Sequence, residues 1–278
     1  MSEIKQQVRE FYNQVGWQQI SEGVYQNAHY EDLRPVSRAY IHNCHLRVNR
    51  HLAPQGEMLL DAGSGPIQYP EYLTYSQGYR YRVCADISIV ALQAARARIG
   101  EHGLFVVADV ANLPFKADAF DGLVSLHTFH HVPVAEHEQA YNEALRVLKP
   151  GRSAVIVNGW DNPPLTRVLE LPLRLRRAYR MWRKKRVQES PQAPAGSSQS
   201  AKGTFVRKMN ARELKQTLGT RIQIFVWRSV TVRWLRTFIR ARWGGKRILR
   251  WLYALEERFP HFFGENGQYP LIVLRKDV

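Results

Sequence analysis

Leu59-Leu60-Asp61-Ala62-Gly63-Ser64-Gly65-Pro66 is a short apolar run closed by an acid and followed at once by a glycine-rich turn. The same closure recurs twice downstream, in Val83-Cys84-Ala85-Asp86 and in Val106-Val107-Ala108-Asp109. Short apolar runs bounded by turn residues read as buried strands of a parallel sheet. Glycines after the first strand let the backbone approach a ligand closely. An acid ending the second strand can accept hydrogen bonds from a ribose diol. Gly63 and Asp86 lie 23 residues apart, close to the spacing of one β-α-β unit. The pattern predicts a doubly wound α/β sheet that presents an adenosine-containing cofactor. A plain dinucleotide fingerprint is the weaker reading, because its third glycine would fall on Gln68.

Strands and helices alternate on both sides of this stretch. Strand Met58–Asp61 leads to a helix near Tyr69–Ser76, and strand Tyr81–Asp86 to a helix over Ile89–Ile99 capped by Ser88. Strands Phe105–Asp109 and Gly122–Leu126 follow, then a helix over Val134–Leu148 stopped by Lys149-Pro150-Gly151, then strand Ser153–Asn158. Before the first strand, the spacing of Ile4, Val8, Phe11 and Tyr12 predicts a helix over about the first 20 residues. A second helix runs from Val36 to about Leu52.

Past Asn158 the rhythm breaks. Leu165–Arg186 is helical in pattern but contains Pro172, and Val187–Gly203, with its Pro, Ser and Gly, reads as a loop. A short helix over Asn210–Leu218 is capped by Asn210, and strands are expected at Ile222–Val230 and Pro270–Leu274. Between those strands lies a Trp-rich helical insert, Val232–Arg258, broken by Gly244-Gly245. The expected organisation is a helical lid over residues 1–56, a cofactor-binding core over 57–160, and a basic part over 161–278. That last part carries the helical insertions and the last two strands of a seven-stranded, mostly parallel sheet.

The ordered blocks resemble the class I S-adenosylmethionine-dependent methyltransferases, in the type 11 subgroup similar to the quinone-biosynthesis enzymes. The blocks are Leu59 to Pro66, Ala85-Asp86-Ile87-Ser88, Val107-Ala108-Asp109-Val110, Leu113-Pro114-Phe115 with Phe120-Asp121, and Arg146-Val147-Leu148-Lys149-Pro150-Gly151. They cover residues 57–158, and it is their order and spacing together that is specific. The resemblance implies S-adenosylmethionine as cofactor. It implies that Gly63 and Gly65 cradle the methionine end, with Asp61 orienting its amine directly or through water. Asp86, next to Ile87, would bind the ribose hydroxyls. Asp109 would accept from the adenine amine, with Val110 against the ring. Two departures stand out: Pro66-Ile67 where a third glycine is frequent, and Arg152 where a second glycine often follows Pro150.

The fourth strand of an open α/β sheet ends at the ligand crevice, and His127, His130 and His131 follow it here. For a hydroxyl acceptor, His127 and His131 are the candidate general bases. The competing reading makes the histidines cavity lining or a helix cap. Asn158, Trp160 and Asp161 are candidate acceptor-site residues, and Tyr12, Trp17, Tyr25 and Tyr30 candidate lid aromatics. No metal site is expected. Cys44 and Cys84 have no metal-ligand spacing, and a reducing cytoplasmic setting suits them.

With 45% hydrophobic residues the chain can build an ordered core. Its charge is divided: residues 1–160 carry a net −2 and residues 161–278 a net +18. Such a field selects an anionic partner. Val168, Leu171, Leu175, Tyr179 and Trp182 recur at helical spacing among Arg174, Arg176, Arg177, Arg180 and Arg183-Lys184-Lys185-Arg186. In the insert, Trp234, Leu235, Phe238, Trp243, Ile248, Trp251 and Leu252 alternate with seven basic residues. Basic amphipathic helices with aromatic anchors suit a membrane interface. The function expected is methyl transfer to a small-molecule or lipid-like acceptor, on the inner face of a membrane. The alternatives are an RNA methyltransferase and a non-catalytic cofactor-binding protein. No N-terminal secretion signal and no spanning segment are read, and oligomeric state stays open.

Overall fold

The computed structural model describes residues 2–17, 19–21, 24–25, 31–187 and 205–277. Its centre is a sheet of β1 (Gly56–Ala62), β2 (Tyr79–Asp86), β3 (Gly103–Val107), β4 (Gly122–Leu126), β5 (Ser153–Val157), β6 (Ile222–Arg228) and β7 (Tyr269–Arg275). The spatial order is β3-β2-β1-β4-β5-β7-β6. Strands β1 to β5 are parallel, and β7 runs antiparallel to both β5 and β6. The order reverses between β1 and β4, which opens the ligand crevice of this architecture at their carboxyl ends.

Both faces of the sheet are covered, which is why its strands read as unbroken apolar runs. Leu60, Val83, Leu123, Ile156 and Ile272 enter one apolar cluster. Their chain neighbours Leu59, Cys84, Val124, Val155 and Leu271 enter the other. Alternation along a pleated strand sends neighbours to opposite faces.

Local signals act where expected. The Ser88 side chain accepts from the Ala91 N–H at 3.2 Å and starts helix Ile89–Ile99. Asn210 and Glu213 form a reciprocal capping box at the head of helix Ala211–Leu218. Other boundaries move. The first helix covers Glu3–Phe11 and gives way to a π-turn at Tyr12–Gly16. The second is Arg38–Leu46 with a 3-10 turn at Arg47–Arg50. Strand β3 ends at Val107, because Asp109 leaves the ladder to bridge Asn112. The helix after His131 starts at His137, behind a 3-10 turn that follows Pro133. Leu165–Arg186 resolves into helices Pro164–Leu169 and Leu171–Val187, so that Pro172 falls in a first turn where no N–H is needed. Of the loop expected over Val187–Gly203, all but Val187 lies outside the described residues.

The insert folds as helices Val232–Phe238 and Gly245–Arg258, with Gly244 left-handed at φ 68° between them. Part of its apolar stripe is core. Leu235, Ile239 and Leu249 are buried against Tyr40, Ile41, Cys44 and Val230. An unanticipated helix, Pro260–Asn266, lies directly on β6, where a Cβ on Gly264 would come within 2.4 Å of the Phe225 backbone. The buried Glu256 carboxylate ties these parts together. It accepts from the Tyr40 hydroxyl at 2.7 Å, the Ser229 hydroxyl at 2.6 Å and the Arg47 guanidinium at 2.9 Å.

Candidate cofactor and acceptor site

The carboxyl ends of the parallel strands open onto a cavity of about 430 Å³, within the size range of small-molecule sites. Strand order divides its wall. Gly63, Gly65, Asp86, Ile87, Asp109 and Val110 follow β1, β2 and β3 on one side. His127, Arg228 and Tyr269 come from β4, β6 and β7 on the other.

The glycine turn is held tightly. Gly63 has φ 75°, and a Cβ there would come within 2.2 Å of the Thr128 hydroxyl. Gly65 has φ 54° and lies under the Trp17 indole, 3.0 Å from where a Cβ would stand. Both positions need glycine for conformation and for close approach. At the frequent position of a third glycine, Ile67 is itself left-handed, at φ 54°, and fully buried. A β-branched residue held there is strained, and such strain gathers at functional sites.

Asp86 organises this side. Its carboxylate accepts from the Gly65 N–H at 2.9 Å and the Ser88 N–H at 2.8 Å, joining the turn to the head of the next helix. Burial nevertheless pushes its pKa up to about 6. Asp109 accepts from the Ala111 N–H at 3.0 Å and from the Lys5 ammonium, which also contacts Glu136. A donor amine therefore already sits on the carboxylate assigned to the adenine amine.

Asp61 departs from its expected place. Its carboxylate accepts twice from the Arg82 guanidinium inside the sheet, and it is not among the residues lining the cavity. Arg82 also donates to the Tyr72 carbonyl at 2.5 Å. The acid at the end of β1 is thus engaged in a buried ion pair.

Across the crevice, His127 is left-handed at φ 58°, and its ring lies edge-on to Trp227 and Tyr269, with centroids at 5.2 and 5.6 Å. Burial, helped by the Arg228 charge, pushes its pKa down to about 3, so the ring is neutral at pH 7. It faces the cavity with no hydrogen bond to either ring nitrogen among the described residues. His131 is engaged instead. Its Nδ1 meets the Phe205 carbonyl at 2.7 Å and its Nε2 meets the Tyr12 hydroxyl at 2.7 Å. The carbonyl can only accept, so Nδ1 carries the proton and Nε2 accepts from Tyr12. His131 therefore positions Tyr12, and is not a free base for an acceptor hydroxyl. His130 stands 3.4 Å from the Asn158 side-chain oxygen.

Tyr12 and Trp17 stack at 5.2 Å on the cavity wall. The Tyr25 side chain and Tyr30 lie outside the described residues. None of the three expected acceptor-site residues lines the cavity, and Asn158 is buried beside His130. Trp160 is core and donates to the Gly264 carbonyl at 2.7 Å, while Asp161 lies exposed on a different concavity. Sequence reasoning missed Lys5, Lys208, Arg228 and Tyr269. An arginine within the apolar strand Ile222–Val230 was a visible signal for Arg228, whereas nothing local marked Lys208.

Residues 60–156 match the family model for a methyltransferase domain. This segment is similar to methyltransferase domains. The bare turn at Gly63 and Gly65 with the buried acceptor Asp86 fits the S-adenosylmethionine that the sequence resemblance implies. The chain is 35% identical over 138 residues to a demethylmenaquinone methyltransferase of Clavibacter sepedonicus, covering 49% of this chain and 51% of the relative. It is 30% identical over 124 residues to the methyltransferase GfsG of Streptomyces halstedii, covering 41% and 44%. The chain spans about half the length of the curated relatives it matches. In fold, it resembles geranyl diphosphate C-methyltransferase from Streptomyces coelicolor A3(2), with TM-score 0.57, 16% identity and coverage of 99% and 98%. Among the described residues no His, Cys, Asp and Glu cluster could hold a metal, and no helix is long and apolar enough to cross a membrane.

Proposed function

We propose that the protein transfers a methyl group from S-adenosylmethionine to a small or lipid-like acceptor bound between the β4 and β7 ends. The carrying observation is the single cavity that joins Gly63, Gly65, Asp86 and Asp109 to a wall of histidine, aromatic and cationic side chains. The cofactor supplies an electrophilic methyl carbon. The chain's task is to hold an acceptor atom in line with it and to exclude water. Tyr12, Trp17 and Tyr269 provide that enclosure. The neutral imidazole of His127 is a weak base where its conjugate acid is so disfavoured, so positioning carries more of the rate than proton removal. The two curated relatives are methyltransferases by name, which supports the same activity here.

The deciding experiment uses methyl-labelled S-adenosylmethionine and a cell extract split into lipid, small-molecule, RNA and protein fractions. Label is expected in the lipid or small-molecule fraction. Label confined to RNA would move the reading to an RNA methyltransferase. Bound cofactor with no label anywhere would leave a binding protein.

The reading also places the protein on the inner face of a membrane. Leu171, Leu175, Tyr179, Met181 and Trp182 are exposed along one helix that also exposes Arg174, Arg177 and Arg180. Trp243, Ile248 and Trp251 are exposed on the insert, with Trp251 at 73%. Greasy stripes flanked by arginines bind anionic lipid more tightly than neutral lipid, and salt weakens them. In co-sedimentation, phosphatidylglycerol vesicles should retain the protein and phosphatidylcholine vesicles should not. Joint replacement of Trp182 and Trp251 by serine should release it without changing its thermal stability. Equal retention by both lipids would reject the membrane placement.

A further inference from the structure

The charged groups around the cavity can be paired off, and one is left over. Asp86 takes two backbone N–H groups, Asp109 and Glu136 take Lys5, and Glu31 takes Arg228. Lys208 lines the same cavity, yet its ammonium has no hydrogen bond or ion pair among the described residues. It lies against the bare backbone of Gly159, 3.3 Å from where a Cβ would stand. Burial lowers its pKa, and the Asp161 carboxylate opposes that only from a distance. Lys208 lines the cavity together with Gly159, His127, His130 and His131, and its charge adds to the burial that keeps those rings neutral. A second cation lines the same cavity with its charge met by Glu31. Arg228 is buried, lies 4.5 Å over the Tyr269 ring, and keeps a buried Nε without a hydrogen-bond partner.

We infer that the acceptor carries an oxyanion, a carboxylate or a phosphate, and that Lys208 binds it. A half-buried ammonium with no protein partner among the described residues is poorly solvated, and an oxyanion arriving with the acceptor offsets that cost. The carboxylate nearest that wall, Glu31, is already taken by Arg228. The aromatic remainder, Tyr69, Tyr72 and Tyr269, suits a flat or hydrocarbon body attached to the anion. The same charge disfavours neutral analogues, because they would leave Lys208 unpaired, and specificity is a difference of affinities. This inference rests on the acceptor reading above and narrows it to acidic acceptors.

The test uses the full chain loaded with S-adenosylhomocysteine, with benzoate, phenyl phosphate and benzamide as probes in ligand-observed NMR titrations. At least one of the two anions should bind about tenfold or more tightly than benzamide, the scale of one charge-assisted contact. Lys208→Met should erase that preference, while Lys208→Arg, which keeps a permanent charge, should retain most of it. S-adenosylhomocysteine affinity should be the same in all three proteins. Anions that bind no better than benzamide would overturn the inference, as would a preference that survives Lys208→Met. Loss through Lys208→Arg as great as through Lys208→Met would also overturn it, since a charge-pairing role tolerates arginine. Failure of the wild-type protein to bind S-adenosylhomocysteine would count against the cofactor reading instead. The anion-to-benzamide ratio, measured on the unloaded protein, would still decide the role of Lys208.

Discussion

If Asp86 binds the ribose as proposed, Asp86→Ala is expected to weaken S-adenosylhomocysteine binding by about a hundredfold or more, because two ribose hydroxyls would lose an ionised acceptor worth roughly 1.5–3 kcal/mol per hydrogen bond. The same change frees the Gly65 and Ser88 N–H groups that the carboxylate now holds. Asp86→Asn separates the two effects, since it keeps the shape and one acceptor oxygen, and it should fall between wild type and alanine. The pH dependence has a definite sign. Burial holds the Asp86 pKa up to about 6, so the carboxylate is ionised at pH 7.5 and mostly protonated at pH 5. Affinity should be level above about pH 7 and fall as pH drops through 6. Stability alone runs the other way. A carboxyl whose pKa is raised by folding favours the folded state below its unfolded value, and that contribution is lost as pH rises through about 6. Calorimetric titration from pH 5 to 8 reads the binding branch. An Asp86→Ala protein with wild-type affinity would remove the ribose assignment.

Arg82→Met should cost about 3–5 kcal/mol of stability, the usual penalty for stranding a buried charge. Arg82 and Asp61 are both buried inside the sheet, on adjacent strands, and the guanidinium also holds the Tyr72 carbonyl. Burial already pushes the Asp61 pKa up, against the pull of Arg82. Without that guanidinium the carboxyl must protonate to stay inside. The deficit should therefore shrink as pH falls, which denaturant titrations at pH 7.5 and 5 can read. Replacing both partners, Arg82→Met with Asp61→Leu, should recover most of the loss, because an apolar pair avoids the desolvation of both ions. A double variant no more stable than Arg82→Met would refute the account.

The core of this fold was legible because its signals are local. An apolar run, an acid and a glycine turn recur within a few residues, and Ser88 and Asn210 announce their helices through side chains three residues from the N–H groups they cap. The candidate site was legible on its β1 to β3 side for the same reason. The opposite wall was not. Lys208, Arg228 and Tyr269 meet His127 only when separate strands and a connecting segment converge, and no period or spacing records that meeting. The ion pair at Asp61 was hidden differently. Arg82 lies within an expected strand, but one charged residue in a strand does not say which carboxylate it will find. Helix Pro260–Asn266 is seven residues long, too short for an apolar period to show. The insert misled in part because an amphipathic stripe looks the same whether it faces lipid or core; Leu235 and Leu249 went inward and Trp251 outward.

The place of β7 between β5 and β6 sets an order of assembly during synthesis. Strand β6 pairs with the sheet through β7 alone among the described strands, yet Ile222–Arg228 leaves the ribosome well before Tyr269–Arg275. At about 5–20 residues per second, the chain between Arg228 and Tyr269 takes about 2–8 s to make. Throughout that interval Ile222, Ile224, Val226 and Trp227, all buried in the finished protein, have no strand beside them. Strand β5 meanwhile waits with one side unpaired. Nascent chains of this protein are thus most open to chaperone capture, or to sticking to one another, while the insert is being translated. Slower growth temperatures and low expression should raise soluble yield through that window more than through any change in the finished fold.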